Sequence, residues 1–192
     1  RTVIREALAR LKYDGLLDTR QGRGASVTNI NMRNTFRLEA IGDISKRKFG
    51  HLMELRVIVE SDTASLAALR RKDSNIRRLK SCLDFMDDAV SNKEDGSEPD
   101  LEFHKEIARA SGNPYLIEFI QFLNGRLKEV IKISRAQANV IHGMSEAVQK
   151  EHVAIFNAIV DNDFAGARKA MVRHITNTSR GLGLDVTDLV GK

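Results

Sequence analysis

Apolar residues recur three or four positions apart along most of this chain, which is the spacing that places them on one face of an α-helix. These stripes predict helices over residues 49–71, from 73, from 99, over 115–137, and through 148–159 and 167–175. The first helix is expected to bury a stripe of Leu52, Leu55, Val59, Leu66 and Leu69. Asp73 is expected to cap the second helix. The pattern predicts an all-α fold, with a helical bundle of six to seven helices.

The first 28 residues follow a different pattern. A short amphipathic helix is predicted from Thr2 to about Asp14, and Gly15 ends it because glycine adopts the left-handed C-cap conformation easily. Two short strands then flank the glycine-rich tip Arg20–Gly24, which predicts a hairpin. The predicted organisation is a head over 1–28, a linker over 29–48, a helical domain over 49–184 and a tail over 185–192.

Four polar side chains fall on the apolar faces of the predicted helices: Asp100, His104, His152 and His174. Asp100 and His104 are four residues apart, so they share a helix face and can bind one ion together. A carboxylate with three imidazoles suits a divalent metal such as Zn²⁺, Ni²⁺ or Mn²⁺. The alternative is a set of separate core histidines that each donate to a backbone carbonyl, with Asp100 favoured by the dipole of its own helix.

Composition and charge narrow the class of protein. The net charge of the chain is +5, and the first 28 residues hold six basic residues against three acidic ones, a local net charge of +3. A basic helix followed by an arginine-tipped hairpin is typical of a winged helix-turn-helix that binds DNA. The single Cys82 excludes an intramolecular disulfide, and no apolar run is long enough to span a membrane, so a cytoplasmic protein is expected.

The motifs themselves resemble a known family. The segments 1–11, 14–17 and 20–27 are similar to the recognition helix and wing of the GntR family of bacterial transcription regulators. Residues 53–182 resemble the helical effector-binding domain of its FadR subfamily, called the FCD domain. That similarity is carried by Glu54-Leu55-Arg56 with Glu60, by Asp100-Leu-Glu-Phe-His104, by Ser111-Gly112-Asn113, by Glu151-His152 and by the segment from Asp163 to His174.

The resemblance implies a function for these residues. The metal-binding branch of the family uses an Asp and three His in this order, which implies a divalent metal on Asp100, His104, His152 and His174. Arg56 lies where the family binds its effector, which is expected to be a small carboxylate or hydroxy acid. The resemblance also implies a homodimer that binds double-stranded operator DNA. The DNA contacts are expected from the recognition helix and the wing tip, namely Arg1, Thr2, Arg5, Gln21, Gly22 and Arg23. The family has two helices ahead of the recognition helix, so the winged domain is expected to be truncated here.

Two other functions remain as alternatives. One is a metal-free regulator that responds to a long acyl thioester, as some members of this subfamily do. The other is a metal-dependent hydrolase, because a metal with open positions can activate water. The sequence contains no His-Glu-x-x-His motif, nucleophile elbow or phosphate loop, and Glu106 and Glu151 are expected to be solvated helix residues. We therefore expect no catalytic residues and no enzyme.

Overall fold

The structure is a computed structural model that describes residues 4–8, 17–20, 24–27, 46–141 and 143–184. The chain divides into two compact units, Arg1–Glu39 and Ala40–Lys192. In the first unit, residues 4–8 are helical (α1), and strand β1 (Leu17–Arg20) pairs antiparallel with β2 (Gly24–Val27). Leu17 lies opposite Val27 in this pairing. The predicted short helix and pair of strands are therefore present where the structure describes them.

The regular elements of the second unit, in the part of it that the structure describes, are all helices. Its elements are α2 (Lys46–Arg70), α3 (Asp73–Asn92), α4 (Ser97–Ala110), α5 (Pro114–Val140), α6 (Met144–Val160) and α7 (Phe164–Gly181). Helix α2 packs against α7, α4 and α6, while α3 packs against α4 and α6, and α5 against α4 and α6. This arrangement confirms the predicted all-α helical bundle. None of the helices in the described ranges is long and apolar enough to cross a membrane.

Local sequence signals explain several of the helix ends. Asn113 caps α5, because its side chain accepts a hydrogen bond of 3.0 Å from the backbone N–H of Tyr115, and Pro114 occupies the first helical position. Asp163 caps α7 by accepting a bond of 2.8 Å from the backbone N–H of Gly166. The prediction that Asp73 caps α3 is wrong by one residue. Asp73 is the first helical residue, and the N-cap is Lys72.

The buried face of α2 also differs from the predicted stripe. Leu69 is 58% exposed, although it was expected inside the core. The buried positions include two charged residues, Arg56 and Glu60, which lie four residues apart and form an ion pair within the helix. The predicted apolar stripe of this helix did not include positions 56 and 60, so it could not place their ion pair inside the bundle. The buried positions of α2 are Leu52, Met53, Arg56, Val57, Glu60, Ser61, Thr63, Ala64, Ala67 and Ala68.

Candidate metal centre

The bundle brings the four predicted ligands together. Asp100 and His104 are one turn apart on α4, while α6 supplies His152 and α7 supplies His174. All four side chains are buried, and one candidate ligand atom from each lies within 4.8 Å of the others. The rings of His152 and His174 have centroids 4.3 Å apart. Four separate helical positions thus converge on one small volume that is large enough to hold one ion.

Two carboxylates orient two of the imidazoles. Glu60 Oε2 pairs with Nδ1 of His104, and Glu151 Oε2 lies 3.1 Å from Nδ1 of His174. The other oxygen of Glu151 accepts a hydrogen bond of 2.5 Å from the side chain of Asn177. A carboxylate on Nδ1 makes Nε2 the nitrogen that carries the lone pair, which is the usual arrangement around histidine ligands of a metal. The geometry therefore offers Nε2 of His104 and His174 as ligand atoms.

His152 is the least satisfied of the three histidines. Its side chain is fully buried, and its ring packs edge-on against Phe103 at a centroid distance of 5.3 Å. Its Nε2 is 3.2 Å from Oδ1 of Asp100, yet neither ring nitrogen has an aligned hydrogen-bond partner among the residues described. A buried polar atom without a partner is unfavourable. A metal ion beside Asp100 would satisfy it, so the donor set fits a divalent metal.

The alternative of separate core histidines is not what the bundle contains. In the described part of the chain, the polar contacts of His104 and His174 are with carboxylates and an arginine rather than with backbone carbonyls. Asp100 does lie in the first turn of α4, as that alternative expects. Its carboxylate, however, accepts a hydrogen bond of 2.6 Å from Arg135 on α5 and faces His152. The four residues form one connected polar cluster.

Electrostatics in the cluster favour the protonation states that a metal requires. Burial would raise the pKa of Asp100, but the positive charge of Arg135 and the nearby imidazole of His152 outweigh it and hold that pKa well below its usual value of 3.8. Burial lowers the pKa of His152 well below 6.5, and nearby His174 lowers it further. Burial likewise lowers the pKa of His174, against the opposing effect of Glu151. At neutral pH these groups are one carboxylate and two neutral imidazoles.

Arg56 and Glu60 form the second buried charge pair of the site. Arg56 Nε donates to Oε1 of Glu60, and Arg56 Nη2 donates to Nε2 of His104 at 3.2 Å. Burial acts to raise the pKa of Glu60, but the charges and hydrogen bonds of Arg56 and His104 lower it from 4.5 to about 2. The predicted effector residue Arg56 therefore lies in the same cluster as the predicted metal ligands.

Arg135 is a residue of this site that the sequence did not predict. It is buried on α5 and lies in line with Leu127, Ile131 and Ala138, which are all buried. The spacing of four, four and three residues is a regular helical stripe, so an arginine inside it was a visible signal of a buried cation. Its side chain also contacts Sδ of Met86 at 3.0 Å.

The cluster borders a small internal cavity of about 20 Å³, which is room for about one water molecule. The cavity is lined by Arg56, Asp100, Ile131, Ser134, Arg135, Ala138, Val148, His174 and Thr178. A carboxylate effector is larger than this cavity. The effector expected from the sequence would therefore have to move one or both arginines to enter.

Other residues singled out from the sequence have mixed outcomes. Arg5 is in α1, whereas Arg1, Thr2, Gln21, Gly22 and Arg23 lie outside the described residues. The expectation that Glu106 and Glu151 are solvated is wrong. Glu106 is 2% exposed and pairs with Arg78 and Arg109, and Glu151 is partly buried against His174. Both carboxylates have a structural role. Glu106 neutralises two arginines, and Glu151 orients His174.

The comparisons with known proteins agree on one family. The family model of the FCD domain matches residues 51–177. The HTH-type transcriptional regulator LutR of Bacillus subtilis is 30% identical over 181 residues, which cover 92% of this chain and 82% of LutR. The putative L-lactate dehydrogenase operon regulatory protein of Escherichia coli is also 30% identical, over 92% of this chain and 69% of its own length. The solved structure of Streptococcus agalactiae GntR aligns with a TM-score of 0.64 at 26% identity, over 93% of this chain and 81% of that one.

Proposed function

Because this chain belongs to the FCD-domain family of GntR-type bacterial transcription regulators, we propose that it is an operator-binding regulator whose helical domain senses a small carboxylate with the help of a divalent metal. Its relatives are transcription regulators, which confirms the expectation that the chain is not an enzyme. The observation that carries the metal-dependent part of the proposal is the convergence of Asp100, His104, His152 and His174 in one buried cluster.

The metal would be held by an oxygen of Asp100 and by one nitrogen of each histidine. One carboxylate and three imidazoles are donors that Zn²⁺, Ni²⁺ and Mn²⁺ accept, and an ion that takes six ligands keeps positions for further oxygen donors. When bound, such an ion adds two positive charges and Lewis acidity to the site. Glu60 and Glu151 hold the imidazoles of His104 and His174 in the orientation that this binding needs.

The effector is proposed to be a small carboxylate or hydroxy acid. Arg56 is buried beside the ligands, and a planar guanidinium matches a carboxylate in a bidentate geometry. The E. coli relative is named for an L-lactate dehydrogenase operon, which supports a hydroxy acid as the class of effector. A long acyl thioester is less well supported, because polar and charged side chains, including two arginines, make up most of the described cavity lining.

DNA binding is assigned to the basic first unit of a homodimer acting in the cytoplasm. Arg1, Thr2 and Arg5 would contact phosphates and base edges from a recognition helix, and Gln21, Gly22 and Arg23 would form the wing tip. Effector and operator affinities must change reciprocally, because both ligands act on the same equilibrium between arrangements of the two heads.

The test begins with selection of a duplex from a random DNA library by the purified protein. Fluorescence anisotropy then measures how tightly the metal-free protein and the Ni²⁺-loaded protein bind that duplex. Each measurement is repeated with a panel of hydroxy acids and with a panel of acyl thioesters. We expect a hydroxy acid to change the DNA affinity only when Ni²⁺ is bound. An equal response without metal, or a response to acyl thioesters alone, would contradict the proposal.

A further inference from the structure

Two buried arginines contact the candidate metal ligands from opposite helices. Arg56 on α2 is 2% exposed, and its Nη2 donates to Nε2 of His104 at 3.2 Å. Arg135 on α5 is 7% exposed, and its Nη2 donates to Oδ1 of Asp100 at 2.6 Å. Each guanidinium therefore occupies an atom that belongs to the candidate ligand set.

A metal ion and these two contacts compete for the same atoms. The imidazole nitrogen Nε2 has one lone pair, so it accepts from Arg56 or binds a cation, but it does not do both. Asp100 has further lone pairs, but a divalent cation and a guanidinium on one buried carboxylate repel each other with little screening by water. Metal binding is therefore expected to weaken or break both arginine contacts.

The two arginines differ in what they keep when a metal binds. Arg56 retains its ion pair with Glu60. Arg135 has no ion pair other than the one with Asp100 among the residues described, and its contact with Sδ of Met86 is to a weak acceptor. Once Asp100 binds a cation, Arg135 becomes a buried positive charge without a counter-ion, a state that favours the uptake of an anion.

The released guanidinium is already in the right place to bind that anion. Arg135 and Arg56 both line the internal cavity, as do the side chains of Ser134 and Thr178, whose hydroxyl groups can donate to a carboxylate. Building on the proposed function, we propose that Arg135 is a carboxylate-binding residue that Asp100 holds in the metal-free protein and that the divalent metal releases. Metal and carboxylate then bind with positive cooperativity.

The metal alone provides the first arm of the test. Affinity for Ni²⁺ is measured by competition with a chromophoric chelator for the unmodified protein, for Arg135→Gln and for Arg168→Gln. Arg168 is a matched control, because it is exposed and pairs with Asp62 away from the cluster. If the guanidinium competes with the metal, Arg135→Gln binds Ni²⁺ about 5-fold or more tightly than the unmodified protein. Arg168→Gln binds it unchanged.

A carboxylate probe provides the second arm. The Ni²⁺ affinity is measured again in sodium L-lactate and in sodium chloride at equal ionic strength. We expect lactate to raise the Ni²⁺ affinity of the unmodified protein, and we expect Arg135→Gln to lose that increase. Arg135→Lys keeps the positive charge and loses the planar fork, so it should bind Ni²⁺ about as the unmodified protein does but with less gain from lactate.

The outcomes separate this inference from the proposed function. An unmodified protein that binds no Ni²⁺ contradicts the proposed metal site itself. If the protein binds Ni²⁺ and Arg135→Gln binds it more weakly, Arg135 only positions Asp100 and the inference is wrong. A lactate effect that is absent, or equal in the unmodified protein and in Arg135→Gln, also overturns it. Thermal unfolding of each variant verifies that it is folded. If Arg135→Gln does not fold, the comparison with the unmodified protein is made with Arg135→Lys instead.

Discussion

The Glu60 carboxylate stabilises the folded protein and also orients a candidate metal ligand. The effects of removing its charge on stability and on metal affinity can therefore be estimated. The carboxylate is 1% exposed and neutralises buried Arg56, and it also orients His104 through Nδ1. Glu60→Gln keeps the size and removes the charge. Its pKa shift from 4.5 to about 2 corresponds to about 3 kcal/mol of stabilisation of the ionised form by the folded protein. Removal of one partner from a buried ion pair typically costs about 3–5 kcal/mol, which agrees with that value.

The expected result is therefore a loss of about 3 kcal/mol in the free energy of unfolding, measured by urea denaturation of the metal-free protein at pH 7. The effect depends on pH in a defined direction. A carboxyl group with a lowered pKa contributes its stability fully above pH 4.5, and that contribution is lost as the pH falls toward 2. The difference between the two proteins should therefore shrink below pH 4.5.

Glu151→Gln is the matched comparison. It removes the same charge from the carboxylate that orients His174, but Glu151 is more exposed and has no buried arginine partner in the described part of the chain. We expect each variant to lose about 10- to 100-fold in metal affinity, whereas only Glu60→Gln loses much stability. The double variant Arg56→Met, Glu60→Leu should regain most of the stability. A loss below about 1 kcal/mol in Glu60→Gln would refute the reasoning that this pair is a buried ion pair in the folded protein.

Three further predictions concern stability. The metal-free protein should lose up to about 1.4 kcal/mol per pH unit for each of His152 and His174 as the pH falls below 6.5, because their lowered pKa values leave extra protons bound only in the unfolded chain. Urea titrations between pH 7 and pH 5 measure this slope, which should flatten when both are replaced by Asn. Asp163→Ala removes the cap bond to Gly166 and should cost about 1 kcal/mol in the same assay. Leu123→Ala, at a fully buried position, should cost about 3 kcal/mol by urea denaturation, and a loss under about 1 kcal/mol would contradict its core position.

Much of the fold follows from the periodicity of the sequence. Helical spacing located α2 to α7, because the repeat of apolar residues acts locally along the chain. The errors arose where tertiary contacts decide the outcome. Leu69 was assigned to the core and is exposed, whereas Glu106 was assigned to solvent and is buried against two arginines. The partner Arg78 of Glu106 lies on α3, so the spacing within α4 did not reveal that this carboxylate is buried.

The candidate site was predictable to a similar degree. The inward positions of Asp100 and the three histidines followed from their places in apolar stripes, and the bundle brings them together. The orienting carboxylates Glu60 and Glu151 could not be assigned, because their roles depend on which helices become neighbours. Arg135 was accessible in principle, since it interrupts a buried stripe on α5.

The metal content of untagged protein purified without chelators tests the central claim most directly. Elemental analysis should be run on the unmodified protein, on the double variant His152→Ala, His174→Ala, and on His51→Ala, which removes an exposed histidine outside the cluster. The account predicts about one divalent ion per chain in the unmodified protein and in His51→Ala, and almost none in the double variant. The absence of metal from the unmodified protein, or an equal content in all three proteins, would contradict it.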